Sequence, residues 1–282
     1  MINTSRFTKI LVAILLIFVT KQKTYAQSGK NKFPEFASYK TFGWNFSPVL
    51  YRAANFDTTI GTIQIEGKAT PSITLGFTKV IHPEREFNFR YGLLFNLLPL
   101  EHYTINIGDG EVPGFTGDAT TFKTYGTFLF SIPLQIELKK QLERNLYFSM
   151  MAGVNITLLR PGSVTSSKSY YIEELDQIRQ VFALQALTRE TSIYPNVILS
   201  PGLCYLTNRI LIQTSIIYQK AIPNYFTGEY LQDNLEISER AEGQYSLSGD
   251  YIGLSFNFFF KKKDIKSKKK LKEKAVKNIY IN

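Results

Sequence analysis

The chain has 282 residues, of which 44% are hydrophobic and 14% aromatic, and it carries a formal net charge of +10. That charge lies at the two ends: residues 1–26 carry +4 and residues 261–282 carry +8, which leaves −2 on the residues between them. A nucleic-acid-binding body is therefore excluded, because a surface that follows phosphates needs its positive charge there. The single cysteine, Cys204, excludes an intrachain disulfide framework.

The N-terminus has the pattern of a secretory signal peptide over residues 1–26. Basic residues precede an apolar run from Ile10 to Val19, and a small-residue cleavage site ends at Ala26. This run is too short for a transmembrane helix, which needs about 20 apolar residues. We therefore expect export, a mature chain that begins at Gln27, and a periplasmic N-terminal segment over residues 27–40.

Eight segments of the chain alternate apolar and polar side chains with a period of two, as half-buried β-strands do. They cover residues 42–50, 72–81, 87–97, 126–138, 146–158, 196–205, 210–219 and 252–260. In a soluble sandwich the apolar face would form the core, whereas in an outer-membrane barrel it would meet lipid. Alternation alone leaves both folds open.

The connections between the segments separate the two folds, because they alternate in length. Short connections at residues 82–86, 139–145 and 207–209 alternate with long ones at 51–71, 99–125, 159–195 and 220–250. Bacterial outer-membrane barrels have short periplasmic turns and long external loops, a parity that a sandwich does not need. We predict an all-β fold: an eight-stranded antiparallel transmembrane β-barrel over residues 41–260, located in the outer membrane.

Three short motifs strengthen this prediction: Gly92-Leu93-Leu94, Ser131-Ile132-Pro133-Leu134 and Tyr251-Ile252-Gly253-Leu254. With them the chain resembles the PorT-like outer-membrane β-barrel family over roughly residues 41–260. The resemblance implies an eight-stranded barrel in the outer membrane of a Bacteroidota-type bacterium, and a link to type IX protein secretion through PorT itself. The lysine-rich segment after Phe260 departs from the family, whose barrels often stop at such an aromatic residue.

Three charged residues interrupt an otherwise polar, uncharged interior set near the short-turn rim: Arg90, Glu137 and Lys139. Eight strands enclose a lumen that side chains can fill, so an open pore is not expected. Arg90 lies early in the third segment and Glu137 late in the fourth, and both point inward by parity. We therefore predict an interior ion-pair network in which Arg90 and Glu137 pair, rather than a proton path.

Two classes of function fit this barrel. The first is a non-enzymatic protein of binding or assembly at the cell envelope, with a link to type IX-like secretion by family resemblance. The alternative is a rim-active enzyme that modifies acyl chains of lipid A or phospholipid, for which His102, beside Glu101, is the candidate catalytic base. The sequence offers no second base, metal site or cofactor motif, so we expect neither a metal nor a cofactor.

The third long connection contains an apolar stripe among charged residues, and its spacing predicts a short amphipathic helix over residues 171–189. Such a helix would serve either as a lid on the barrel or as a docking surface for a partner. The candidate partner-binding residues are Ile172, Leu175, Ile178 and Phe182.

The tail over residues 261–282 is a dense run of positive charge. We predict that it is a disordered, salt-sensitive tether on the periplasmic side, outside the barrel fold. Its candidate binding residues are Lys261, Lys262, Lys263, Lys268, Lys269 and Lys270. The expected partners are outer-membrane lipid and lipopolysaccharide, and an envelope protein bound through the third loop or the tail. No nucleic acid is expected.

Overall fold

The computed structural model describes residues 32–61, 65–114, 116–123, 126–188 and 192–262. Within them the chain forms sixteen β-strands and two short 3-10 helices, Pro34–Ser38 and Glu173–Leu175. No helix in this described part is long and apolar enough to cross a membrane. The predicted signal peptide, and the tail from Lys263 onward, lie outside the described residues.

Eight strands form a closed antiparallel barrel. They are β1 (Phe42–Tyr51), β4 (Thr70–Ile81), β5 (Phe87–Leu98), β8 (Thr127–Glu143), β9 (Leu146–Leu158), β12 (Ile193–Leu206), β13 (Ile210–Ala221) and β16 (Tyr251–Phe260). Around the barrel their order is β1-β16-β13-β12-β9-β8-β5-β4, and β4 pairs again with β1. The predicted eight-stranded fold is confirmed, with strand positions within a few residues of the alternating segments.

The outer face of the barrel is apolar and exposed. On β1, Trp44 is 53% exposed while its neighbours Asn45 and Ser47 are buried inside. The same alternation follows every barrel strand and leaves apolar side chains on the outside, including Phe46, Leu75, Phe95, Phe130, Leu199, Leu203, Ile216, Ile252 and Leu254. A soluble protein does not expose a continuous apolar surface of this extent, whereas a lipid-facing barrel wall requires it.

The lumen is filled with hydrogen-bonded polar side chains. Asn96 donates to Ser131 at 2.7 Å, the Ser131 and Thr157 hydroxyls lie 2.8 Å apart, and Asn196 donates to Thr157 at 2.8 Å. A cavity inside the barrel, next to Asn45, has a volume of about 20 Å³, which is room for about one water molecule. Hydrogen bonding offsets the cost of burying these groups, so the lumen is a packed polar core.

The long connections are not irregular loops, because they contain eight further strands beyond the barrel. These are β2 (Asn55–Ile60), β3 (Ile65–Gly67), β6 (His102–Ile107), β7 (Asp118–Lys123), β10 (Ser163–Ile172), β11 (Gln177–Thr188), β14 (Phe226–Gln232) and β15 (Ala241–Leu247). They form a five-stranded sheet, β10-β11-β14-β15-β2, and a three-stranded sheet, β3-β6-β7. We call the two sheets together the cap.

The cap has an apolar core, in contrast to the lumen. Phe182, Leu184 and Ala186 on β11 are buried, while Gln185 between them is exposed. Aromatic rings join the two sheets: Tyr103 on β6 lies 6.0 Å from Phe182, and Phe56 on β2 lies 5.2 Å from Tyr103, measured between ring centroids. The cap is therefore apolar inside and polar outside, the reverse of the barrel.

A layer of tyrosines separates the polar lumen from the apolar cap core. The rings of Tyr194 and Tyr225 lie 5.0 Å apart between centroids, and those of Tyr51 and Tyr251 lie 5.3 Å apart. The hydroxyl of Tyr225 donates to the side-chain oxygen of Asn196 in the lumen network. A tyrosine suits this boundary because its ring packs with apolar groups while its hydroxyl joins polar ones.

The N-terminal segment closes the short-turn end of the barrel. Phe33, Phe36 and Tyr39 are buried against Tyr147 and Phe259 of the barrel strands. The ring of Phe36 meets that of Tyr147 edge to face at 4.9 Å between centroids. Residues 33–39 therefore form a plug rather than a free leader to the first strand.

Candidate binding surface on the cap

The third long connection forms a β-hairpin, so the predicted amphipathic helix over residues 171–189 is wrong. Tyr171 pairs with Ile178 across β10 and β11, and a single 3-10 turn joins the two strands. Of the apolar residues that suggested a helix, Ile172 ends β10 and Leu175 lies in the turn. The others lie along β11, where one β-bulge near Val181 interrupts the period of two. Pairing with β10 and β14 and burial of Phe182 outweigh the weak local helical pattern.

The four candidate partner-binding residues divide between the core and the surface. Ile172 and Phe182 are buried in the cap core and cannot contact a partner. Leu175 and Ile178 are exposed, Ile178 by 76%. The sequence analysis could not separate the buried from the exposed candidates, because it assumed the period of a helix rather than that of a strand.

Exposed apolar side chains lie at the turn of the β10–β11 hairpin and in the β14–β15 loop. Tyr171 and Ile178 are direct cross-strand neighbours, and Leu175 lies in the turn that joins them. Ile237, 71% exposed, lies in the β14–β15 loop, which an ion pair between Arg179 and Glu236 ties to β11. We call Tyr171, Leu175, Ile178 and Ile237 the tip patch; the sequence analysis missed Ile237.

Buried Glu111 holds the loop that carries Ile237 in place. Its carboxylate accepts hydrogen bonds from the backbone amides of Ile237 and Ser238 and from the Ser238 hydroxyl. Burial raises the pKa of Glu111, but these hydrogen bonds outweigh it, and the net pKa is lowered. An anchored loop presents Ile237 in a fixed position, which reduces the entropy that binding costs.

The surroundings of the tip patch are acidic. The exposed acidic residues around it are Glu173, Asp176, Glu236 and Glu239, and the basic residues there are Arg179 and Arg240. Arg179 and Arg240 are themselves paired with Glu236 and Glu242. An apolar centre with a negatively charged rim favours a partner whose apolar patch has a positively charged rim.

The outer face of the five-stranded sheet forms an open polar groove of about 850 Å³. One row of side chains crosses all five strands in register: Thr165, Gln185, Glu229, Gln244 and Asp57. No group of three or more metal-ligating side chains occurs among the residues that the structure describes. The groove is thus a polar surface without the ligand set of a metal site.

His102 lies at the start of β6, beside a hydroxyl and two lysines. Its Nδ1 lies in hydrogen-bond contact with the Thr70 hydroxyl, and its cross-strand neighbour on β7 is Lys123. Burial, Lys123 and Lys68 all lower the pKa of His102. Asp118 lies at the opposite end of the β6–β7 hairpin. Within the described residues, the hydrogen bond to the ring comes from a hydroxyl and not from a carboxylate, which a triad would require.

The structure brings Arg90 and Glu137 together in the lumen, with Nη2 and Oε2 at 3.2 Å and both side chains almost fully buried. Ser149 and Gln213 also donate to Glu137, at 2.6 and 2.7 Å. Lys139 interacts electrostatically with Glu137. Its ammonium also donates to the Pro83 carbonyl and lies 3.7 Å from the Phe36 ring centroid. The plug supplies this cation–π partner, which the sequence did not reveal.

The first two lysines of the predicted tail still belong to the fold. Lys261 forms an isolated β-bridge with Tyr39, and the Lys262 side chain donates to the Ala37 carbonyl at 2.8 Å. The tail boundary therefore lies at least two residues later than predicted. The remaining candidates, Lys263 and Lys268–Lys270, lie outside the described residues.

Solved structures with a similar fold are outer-membrane β-barrels. OprG from Pseudomonas aeruginosa has a TM-score of 0.40 and 7% identity, over 79% of this chain and 98% of its own. The protease OmpT from Escherichia coli has a TM-score of 0.31 and 12% identity, over 79% and 94%. The monoaromatic hydrocarbon channel TodX has a TM-score of 0.30 and 11% identity, over 73% and 54%. Likenesses this distant carry no functional argument.

No family model matches the chain, and no curated protein matches it either. The closed antiparallel barrel and its apolar outer wall are features of the molecule itself. They make this chain an outer-membrane β-barrel protein, since only a lipid environment accommodates such a wall on a closed barrel. The plug lies at the short-turn end of the barrel and the cap at the end with the long connections; in bacterial outer-membrane barrels generally, short turns are periplasmic and long loops external.

Proposed function

We propose that this protein is a non-enzymatic binding or assembly protein of the outer membrane, whose barrel is an anchor and whose cap docks a protein partner through the tip patch. The observation that carries the proposal is that the barrel lumen is filled with hydrogen-bonded side chains, while the plug and the cap cover its two ends. A filled barrel offers little room for transport, so function falls to its exposed surfaces.

The tip patch has the composition of a small interface centre. Tyr171, Leu175, Ile178 and Ile237 supply aromatic and aliphatic area, and the acidic rim adds charge selection. Because Glu111 and the Arg179–Glu236 pair hold the β14–β15 loop, little ordering is needed when a partner binds. We infer a protein partner with an apolar centre and basic rim.

Substitution at the tip patch tests this proposal. Ile178→Asp places a charge in the centre of the patch, and we expect it to abolish chemical cross-linking of the partner in intact cells. The control is Thr227→Asp, which adds the same charge to an exposed position on the cap outside the patch. Equal cross-linking by I178D and T227D would contradict the proposed role of the tip patch.

Membership in a secretion apparatus is a further part of the proposal, supported only by the resemblance to the PorT-like family. If it holds, secretion components co-purify with the wild-type protein from gently solubilised membranes and are lost with I178D. The enzymatic alternative is less well supported, because His102 has a hydroxyl and cations beside it rather than a carboxylate. Unchanged lipid A and phospholipid acylation in His102→Gln would agree with this choice.

A further inference from the structure

The cap strands repeat the order of the barrel strands from which they continue. Around the barrel the order is β1-β16-β13-β12-β9-β8-β5-β4, and the corresponding cap strands are β2-β15-β14-β11-β10-β7-β6-β3. Six of the eight neighbouring pairs remain hydrogen-bonded in the cap. The ladder is interrupted between β2 and β3 and between β7 and β10.

The two interruptions differ in width. Between β2 and β3 the backbones stay close, since a Cβ on Gly67 would lie 2.3 Å from the Ala54 carbonyl oxygen. Between β7 and β10 the Cα atoms lie almost everywhere more than 8 Å apart, whereas paired strands lie about 4.8 Å apart. The gap between β7 and β10, which we call the slot, is thus too wide for direct pairing.

Side chains bridge the slot at one end. Asp118 on β7 accepts hydrogen bonds from the Tyr170 hydroxyl at 2.8 Å and the Lys168 ammonium at 3.0 Å, both on β10. These long side chains limit how far the two strands can separate. A strand inserted midway would need about two pairing distances, roughly 9.6 Å, between its neighbours.

Both strands turn into the slot backbone groups that have no backbone hydrogen-bond partner among the residues that the structure describes. The Gly162 carbonyl accepts a hydrogen bond from the Thr188 amide. Because the backbone groups of successive residues point to opposite sides of a strand, those of Val164 and Ser166 also hydrogen-bond to β11. The backbone groups of Ser163, Thr165 and Ser167 then face the slot. On β7 the same reasoning, from the hydrogen bond between the Lys68 amide and the His102 carbonyl, gives Ala119, Thr121 and Lys123.

The slot also leaves the cap core incompletely covered. Phe122 on β7 and Ser166 on β10 point inward but are only half-buried, whereas Phe182 and Tyr230, on strands away from the slot, are fully buried. Phe122 packs on the ring of Tyr103 at 5.0 Å between centroids. The floor of the slot is therefore apolar and aromatic.

We propose that the slot binds an extended segment of a partner polypeptide, which adds to the cap as a β-strand between β7 and β10. Two facing edges of backbone amides and carbonyls match the two edges of a single strand, a complementarity that lipids and glycans lack. The bound segment runs antiparallel to the longer edge, β10, and places alternate apolar residues on Phe122. This inference rests on the proposed binding function, and it adds the slot to the tip patch as a second site of contact with the partner.

The probe is a fluorescently labelled seven-residue peptide of alternating Thr and Val, titrated by polarisation into the full-length protein in lipid nanodiscs. We expect saturable binding, together with slower hydrogen exchange at the amides of Thr165 and Ala119. The control peptide is N-methylated at its Val residues, which removes donors without changing the side chains. It should bind at least about tenfold more weakly, because backbone hydrogen bonds carry this mode of recognition.

Proline variants test the two edges separately. Thr165→Pro and Ala119→Pro each remove one slot-facing amide at a position where an edge strand accepts proline, and each should weaken peptide binding about tenfold. Thr165→Val keeps the amide and should bind as the wild-type protein does. A retained heat-modified gel shift shows that the variants fold; if a proline variant does not fold, the N-methylated peptide makes the same test on the wild-type chain.

Three outcomes would overturn the proposed slot. They are no saturable binding to the wild-type protein, binding of the N-methylated peptide as tight as that of the unmodified peptide, or peptide binding by both proline variants as tight as that by the wild-type protein. I178D separates this proposal from the tip patch, which is formed by the β10–β11 turn and the β14–β15 loop. It should leave peptide binding unchanged while it removes partner cross-linking. Peptide binding lost with I178D would show that tip and slot are not separate contacts.

Discussion

The eight cap strands follow the order of the eight barrel strands that they continue, but the barrel and the cap have opposite patterns of polarity. The barrel buries Asn, Ser, Thr and Gln and exposes Phe, Leu and Ile, whereas the cap buries Phe182, Leu184 and Tyr245 and exposes Thr165 and Gln185. The solvent outside each region explains the difference, because lipid accepts an apolar wall and water does not. The barrel therefore relies on hydrogen bonds in its core, and the cap relies on apolar burial.

The largest effect should follow from breaking the buried ion pair in the lumen. Glu137→Gln leaves the Arg90 charge uncompensated, and we expect it to lower the free energy of unfolding by about 3 to 5 kcal/mol, as a shift in the urea midpoint. Glu229→Gln, on the exposed face of the cap, is the control and should change it little. An unchanged midpoint for E137Q would refute a barrel core held by charge and hydrogen bonds.

A smaller and more local effect should follow from a cavity in the cap core. Leu184→Ala removes buried apolar volume and should cost about 3 kcal/mol, seen as faster hydrogen exchange on β11 and β14. The heat-modified gel shift should remain, because the lumen network does not include Leu184. Loss of the gel shift would mean that barrel and cap unfold together.

A single hydrogen bond in the lumen should contribute less. Ser200→Ala removes the partner of the buried Ser215 hydroxyl, 2.8 Å away, and should lower stability by about 1 kcal/mol. The matched change in the cap is Ser246→Ala, on the outer face of β15. If S246A cost as much as S200A, the distinction between a polar lumen and a polar outer surface would fail.

The smallest effect is a pH dependence confined to the cap. Hydrogen bonds from Tyr170, Lys168 and Thr120 lower the pKa of Asp118 to about 2. A carboxyl whose folded-state pKa is depressed stabilises the fold above its unfolded value of about 3.9 and loses that contribution as pH falls toward 2. Amides at residues 168–170 should thus exchange faster, relative to the intrinsic rate, between pH 4 and pH 2. Asp118→Asn should remove this pH dependence.

Sequence reasoning predicted the barrel because each wall strand has one apolar face, and a period of two records that directly. It also placed Arg90 and Glu137 on one side of neighbouring strands, since parity fixes the direction of a strand side chain. The cap was missed because six of its eight strands have seven residues or fewer, because breaks such as Pro99–Glu101 separate them from the barrel strands, and because the longer β10–β11 hairpin contains a β-bulge. A polar outer face made the same segments resemble loops.

The plug and the tip patch depended on long-range packing that no local pattern shows. Phe33 and Phe36 are apolar residues in a segment outside the alternating region, and they were the available signal that residues 33–39 are buried. Leu175 and Ile178 were selected correctly as exposed apolar residues but for a helix that does not form. Ile237 joins them only through the Arg179–Glu236 contact, which links residues far apart in sequence.

The central claim is that the barrel is a filled anchor and that the cap carries the function. Single-channel recording of the purified wild-type protein in a planar lipid bilayer tests it most directly. The account predicts no resolvable conductance steps, because hydrogen-bonded side chains fill the lumen between the plug and the tyrosine layer. Regular steps of ion current through the wild-type protein would contradict it.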